Sequence, residues 1–205
     1  MRIPDEPPHS AGGGDYELRP RQITEEDHEV WIPQFSCGKN WWDREVDEFL
    51  KEWAWDNHQR GDSKTTLFSA LDGKDEIIGF ITTTAMILKL SDVESVIGFS
   101  DSTSPGRFRV PAAHLLYAGV DYRFQRRGHG QEMLLRLYES LEASVVAPRF
   151  IHLEVWAKNE DAIRLYERNG FKALGPPKQS EIPGGKGETA ELLRMVLDRF
   201  VLARR

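Results

Sequence analysis

Gln125-Arg126-Arg127-Gly128-His129-Gly130 limits what this chain can fold into more than any other stretch. It follows an apolar run, Leu115-Leu116-Tyr117-Ala118-Gly119-Val120. It opens an amphipathic one, in which Met133, Leu137 and Leu141 share a line with Leu134 and Tyr138 beside it. A strand, a basic glycine-rich turn and a helix in that order make a phosphate cradle. Glycine allows tight backbone and close approach, and the unpaired N–H groups of a helix start point at an anion. Two arginines beside them add charge-assisted donors. Alone, the spacing fits a plain strand-to-helix turn equally well, so the downstream residues decide.

Those residues are Phe150-Ile151-His152-Leu153-Glu154-Val155-Trp156-Ala157, then Asn159-Glu160-Asp161-Ala162-Ile163-Arg164-Leu165-Tyr166, and finally Gly170-Phe171. The order resembles the GNAT superfamily of acetyl-CoA-dependent N-acetyltransferases. Its signature is an Arg/Gln-x-x-Gly-x-Gly turn, a strand, and Asn-x-x-Ala-x-x-Leu/Phe-Tyr-x-x-x-Gly-Phe. The resemblance runs over residues 114 to 175. It implies an α/β (α+β) fold with a mixed, mostly antiparallel central sheet flanked by helices.

The rest of the sequence fits such a domain. At 205 residues the chain is long enough to bury a proper core, and residues 15–205 read as one domain behind a flexible tail, 1–14, rich in Pro and Gly. The longest apolar run, 77–90, is interrupted by Thr82, Thr83, Thr84 and Lys89, which argues against a membrane span. No basic-then-apolar leader is visible, and the one cysteine, Cys37, suits a reducing, cytoplasmic setting. A net charge of −6 argues against a nucleic-acid partner. The six histidines show no metal-ligand spacing, so no metal is expected.

Along the chain, Tyr16 to Ile23 reads as a first strand, with Thr24 capping a helix that begins Glu25-Glu26-Asp27. From Trp41 to Asn57, Val46, Phe49, Leu50, Trp53 and Ala54 form one apolar helix face, which places Trp53 in the core. Trp41 and Trp42 are harder to bury together and are candidates for a substrate entrance. Thr65 to Leu71 and Glu76 to Met86 flank Asp72-Gly73, a hairpin signal. Residues 91 to 110 read as a loop. So do 175 to 187, ahead of a last strand from Thr189 to Leu197.

A second, partial resemblance lies in Phe35-Ser36-Cys37-Gly38, then Val46 to Leu50 and Ala54. It is similar to one branch of the superfamily that includes toxins acetylating the amino acid on charged tRNA. Val46 departs from that branch's leucine, and the Trp41-Trp42 pair is unusual in it.

The resemblance assigns site residues. Backbone N–H groups around Arg126, Arg127, Gly128, His129, Gly130 and Gln131 would grip the coenzyme A pyrophosphate, with Gln125 beside them. The pantetheine arm would add to the strand edge at Ala118, Gly119 and Val120. Asn159 would contact the cofactor or simply cap its helix; the two roles are compatible.

Acetyl transfer needs a neutral amine and a stabilised leaving thiolate. An α-amine with pKa about 7.7–8.0 is roughly one-eighth neutral at pH 7, and a lysine near about 10.4 only one part in roughly 2,500. Tyr166 matches the family tyrosine and is the candidate acid, though it would also suit a core position. Glu154 faces away from Ile151, Leu153 and Val155. It resembles the proposed base of the ribosomal-protein alanine N-acetyltransferases, where a water chain is the alternative, and His152 on the same face is a weaker backup. His114 and His129 read as structural, and Cys37 as a small apolar residue. The expected reaction moves an acetyl group from acetyl-CoA to a primary amine on a small molecule or peptide. Action on aminoacyl-tRNA and non-catalytic acyl-CoA sensing are the alternatives. A homodimer is compatible with the resemblance.

Overall fold

Alternation of apolar side chains builds a sheet through most of the molecule, and the computed structural model describes residues 18–70, 76–97, 109–144 and 147–202. Its strands are β1 (Leu18–Gln22), β2 (Lys64–Ala70), β3 (Ile77–Lys89), β4 (Arg109–Val120), β5 (Phe150–Trp156), β6 (Lys172–Ala173), β7 (Lys178–Glu181) and β8 (Thr189–Asp198). These described strands form one sheet in the order β1-β2-β3-β4-β5-β8-β6, with β7 also paired to β8. Every pairing is antiparallel except that of β4 with β5. The expected mixed, mostly antiparallel sheet flanked by helices is the observed one.

Helices α4 (His129–Glu142) and α5 (Glu160–Arg168) cover one face. Met133, Leu134 and Leu137 of α4 pack there on Ile81, Leu115, Ile151, Leu153 and Val155. The other face carries α1 (Trp41–Glu48), α2 (Ala54–Arg60) and α3 (Leu90–Ile97). Ile32, Phe35, Phe49, Leu50 and Ala54 pack there on Leu67 and Phe80. The short α6 (Arg199–Leu202) follows β8. At the start of the N-terminal helical stretch Thr24 behaves as a cap: its N–H and hydroxyl reach Asp27 Oδ2 at 2.9 and 2.7 Å.

Several expectations need correcting. Trp53 is 57% exposed, not in the core. Residues Phe49–Trp53 form a π turn, closed by Ala54 N–H donating to Phe49 O. That turn holds one residue more than an α turn, so the apolar stripe passes from Leu50 to Ala54 and Trp53 is carried outward. Residues 91–110 are not simply a loop, because β3 runs on to Lys89, α3 follows it, and β4 begins at Arg109. The helix α3 buries Val93 against Leu88, Ala112 and Phe150. Within 175–187, Lys178–Glu181 is a strand on β8, held by backbone pairing while its side chains stay largely in solvent. The N-terminal tail and the Asp72-Gly73 turn lie outside the described residues.

Candidate active site

The two parallel strands separate partway along. β4 and β5 pair from Ala112↔Phe150 to Leu115↔Leu153, after which β4 continues to Val120 and β5 to Trp156 without pairing each other. The cause is visible in β4. Thr82 of β3 pairs with Tyr117, but Thr83 pairs with Leu115, so Leu116 is an extra, bulged residue. A bulge bends its strand and ends regular pairing. Leu116 and Tyr117 therefore both pack toward the α1 side, while Ala118 and Val120 lie against the α4 side. The freed edge of β4 at Ala118-Gly119-Val120 faces the gap.

At the end of β4 the chain turns through Gln125–Gly130 into α4. Gly128 caps α4 at φ 87°, and Arg126 also has a positive φ of 62°. The backbone N–H groups of His129 and Gly130 precede the helix ladder and are available to an anion. Arg126 is 90% exposed, 4.0 Å from Asp161, and Arg127 lies over the Phe124 ring. A Cβ on Gly130 would lie 3.0 Å from Leu165 Cδ2, so the glycine lets α4 start tight against α5. Gln131 N–H returns to Gly128 O at 3.0 Å.

Two side chains of this turn point into the protein. The Gln125 amide points inward and donates to Cys37 O at 2.6 Å and Val120 O at 2.9 Å. The His129 ring is buried, and burial holds its pKa below the usual imidazole value, so only its backbone faces the cradle.

The Phe35–Gly38 segment braces this region. Ser36 Oγ and Cys37 N donate to Asp47 of α1 at 2.9 and 2.7 Å. Ser36 N donates to buried Asp121 at 3.1 Å, and Tyr122 N donates back to Ser36 O at 2.8 Å. Burial and the carboxylates of Asp47, Asp43 and Asp121 push the Cys37 thiol well up, which disfavours the thiolate.

Tyr166 is half-buried on α5, its ring edge-on to Phe171 with centroids 5.5 Å apart. Burial pushes its pKa up to about 12, so it keeps its proton at neutral pH. Asn159 caps α5, its Oδ1 accepting from Ala162 N at 3.2 Å. Glu154 is exposed on the opposite sheet face. It lines a cavity of about 220 Å³ with Met86, Leu88, His152, Leu174 and Arg194. His152 is buried, 5.0 Å from the His114 ring. Burial first, then His114 and Arg194, hold its pKa at about 4, so it stays neutral. His114 is also held low by burial, against the opposing pull of Glu154. The acid and base candidates thus lie on opposite faces of the sheet, Tyr166 on the α4–α5 side and Glu154 on the other.

Sequence reasoning missed a contact between α1 and the end of β5. Trp156 Nε1 donates to Glu45 Oε2 at 2.7 Å, and the Trp41 ring meets the Trp156 ring at 4.8 Å. The Trp42 ring in turn packs edge-on against Trp41, with centroids 5.6 Å apart. No local pattern announces a bond between positions 45 and 156. Among the described residues, no helix is long and apolar enough to cross a membrane, and no cluster of three or more His, Cys, Asp or Glu could hold a metal.

A parted β4–β5 pair leading into a helix start with free N–H groups is the arrangement expected of an acyl-CoA-dependent acyltransferase. The chain belongs to the GNAT family of acetyltransferases, whose model matches residues 28–171. Its acyl donor is acetyl-CoA. Similar solved structures include a bacterial toxin at 22% identity and TM-score 0.66, covering 92% of this chain and 95% of that one. The AtaT toxin complexed with acetyl-methionyl-tRNAfMet is 16% identical with TM-score 0.64, covering 92% and 100%. Arabidopsis thaliana NAA60 in complex with acetyl-CoA is 21% identical with TM-score 0.58, covering 88% and 97%.

Proposed function

We propose that this acetyltransferase moves the acetyl group of acetyl-CoA to a primary amine by direct attack, with Glu154 as base and Tyr166 as acid. The observation that carries the reading is the gap beyond Leu115 and Leu153. It lets a thioester threaded along Ala118–Val120 meet Tyr166 from one face and an amine beside Glu154 from the other. The pyrophosphate rests on the Arg126–Gln131 turn, with Asn159 at the adjoining end of α5.

The amine nitrogen attacks the thioester carbonyl and forms the C–N bond. Its surplus proton passes to Glu154, directly or through one water. Collapse of the tetrahedral intermediate breaks the C–S bond, and the departing thiolate takes a hydrogen bond from Tyr166. Tyr166, protonated at rest, donates its proton to the thiolate as the C–S bond breaks and recovers one from solvent.

The acceptor is a small-molecule or peptide amine on this reading. The charge argument against nucleic acid is weaker than it looks, since the tRNA-bound AtaT shares the fold. An aminoacyl-tRNA acceptor therefore stands as the alternative, and growth arrest on expression would favour it.

Thermal unfolding with and without acetyl-CoA tests the cofactor site, beside an Arg126→Glu, Arg127→Glu variant. A ligand at a hundred times its Kd adds about 2.7 kcal/mol, roughly 5–10 °C for a chain of this size. A rise in the parent that shrinks in the variant supports the assigned cradle. No rise in a folded parent removes it.

A further inference from the structure

Helix α1 lies across the open end of the β4–β5 gap, on the face that carries Glu154. Glu45 Oε2 takes the Trp156 Nε1 hydrogen bond at 2.7 Å, which ties α1 to the last residue of β5. Just beyond α1, Phe49 stacks on Tyr117 of β4, with centroids 4.0 Å apart and planes 16° from parallel. The Glu45 carboxylate is thus bonded to the end of β5 and acts on Tyr117 of β4, beside the Trp41 and Trp156 indoles, which meet edge-on with centroids 4.8 Å apart.

Glu45 is half-buried, and its Oε1 has no protein partner among the described residues. Among those residues no cation pairs with it. Burial raises its pKa, against the lowering effect of the Trp156 hydrogen bond. A partly desolvated carboxylate with a free oxygen, walled by indoles, is complementary to an ammonium. The carboxylate takes the charge and N–H donors, and indole faces attract both the cation and an apolar arm.

We infer that Glu45, Trp41 and Trp156 bind the acceptor's ammonium group at the mouth of the gap. The inference rests on the proposed acetyl transfer to a primary amine and adds the acceptor's chemistry. That acceptor is an alkylammonium with an aromatic or aliphatic arm and no carboxylate on the adjacent carbon. Glu45 and Glu48 on this side repel such a carboxylate, and both also raise the Tyr117 pKa, after burial, to about 12. Glu45 is a specificity residue here: it holds the ammonium until one proton is lost to solvent, and the proton released on attack then passes to Glu154 as above.

A purely structural Glu45 would need only the oxygen that accepts from Trp156, and glutamine supplies that oxygen. Glu45→Gln therefore separates the two roles. The probes are phenethylammonium and neutral 2-phenylethanol, titrated at pH 7 by tryptophan fluorescence into protein with and without CoA. The parent is expected to bind phenethylammonium saturably and at least tenfold tighter than the alcohol. Glu45→Gln is expected to erase that preference while keeping the CoA-induced thermal shift, and Trp41→Leu to weaken both probes. Absence of saturable phenethylammonium binding in the parent overturns the inference, as does an unchanged preference in Glu45→Gln. A parent without a CoA thermal shift instead sinks the acetyl-transfer reading, whatever the amines do.

Discussion

Leu115 and Leu153 are the last residues at which two neighbouring parallel strands stay paired. One bulged residue, Leu116, is enough to part the strands beyond them. Since side chains alternate across a sheet, Glu154 faces the α1 side while its neighbours Leu153 and Val155 face α4 and α5, where Tyr166 packs. On the proposed mechanism the two faces supply the base and the acid separately.

Replacing Tyr166 with Phe removes one hydroxyl while keeping the ring that packs on Phe171. Turnover is expected to fall roughly 10²-fold, with acetyl-CoA affinity unchanged. Steady-state kinetics beside a thermal-shift titration checks both. Full turnover in the variant would remove Tyr166 from the mechanism.

Gly119 sits where β4 meets the brace. A Cβ there would lie 2.5 Å from Cys37 Sγ, 3.0 Å from Phe80 Cε1 and 3.1 Å from Val46 Cγ1. Gly119→Ala is expected to cost about 1–3 kcal/mol by overpacking. Adding Cys37→Ala removes the nearest atom and should recover part of that loss. A urea-unfolding double-mutant cycle reads the coupling, and strict additivity would mean the strand shifts instead.

Gly128 has open space around a would-be Cβ, so its φ of 87° is the whole constraint. Gly128→Ala is expected to lose about 1–2 kcal/mol, and Gly128→Asn less, because asparagine tolerates the left-handed region. Equal losses in chemical denaturation would point to a different cause.

Legibility in the sequence followed locality. Gly128, Asn159 and Tyr166 stand in short motifs whose spacing is fixed by a turn or a helix, and each lies in the element expected of it. The gap has no such mark, because Leu115 and Leu116 look alike until β3 pairs with one and skips the other. Trp53 went astray because helical periodicity assumes a constant turn, which the π turn violates. Helix α3 was hidden by its brevity, and β7 by the solvent on its side chains, which left no apolar alternation to read. Glu45 and Trp156 meet only through the tertiary fold.

His152 supplies a pH signature. Buried at 4% exposure, it is held at a pKa of about 4 by burial, His114 and Arg194, against 6.5 in the unfolded chain. The unfolded state therefore binds the proton more readily, and below pH 6.5 it gains on the native state. Stability linked to this residue falls as pH drops from about 6.5 toward 4, and is intact above that window. Between pH 7 and 5 the loss is about 2 kcal/mol. Urea unfolding at the two pH values should show it in the parent, and a His152→Gln variant should show that much less acid sensitivity. The same acid slope in both proteins would mean that His152 takes up its proton in the folded state, with the His114 ring moving to admit it.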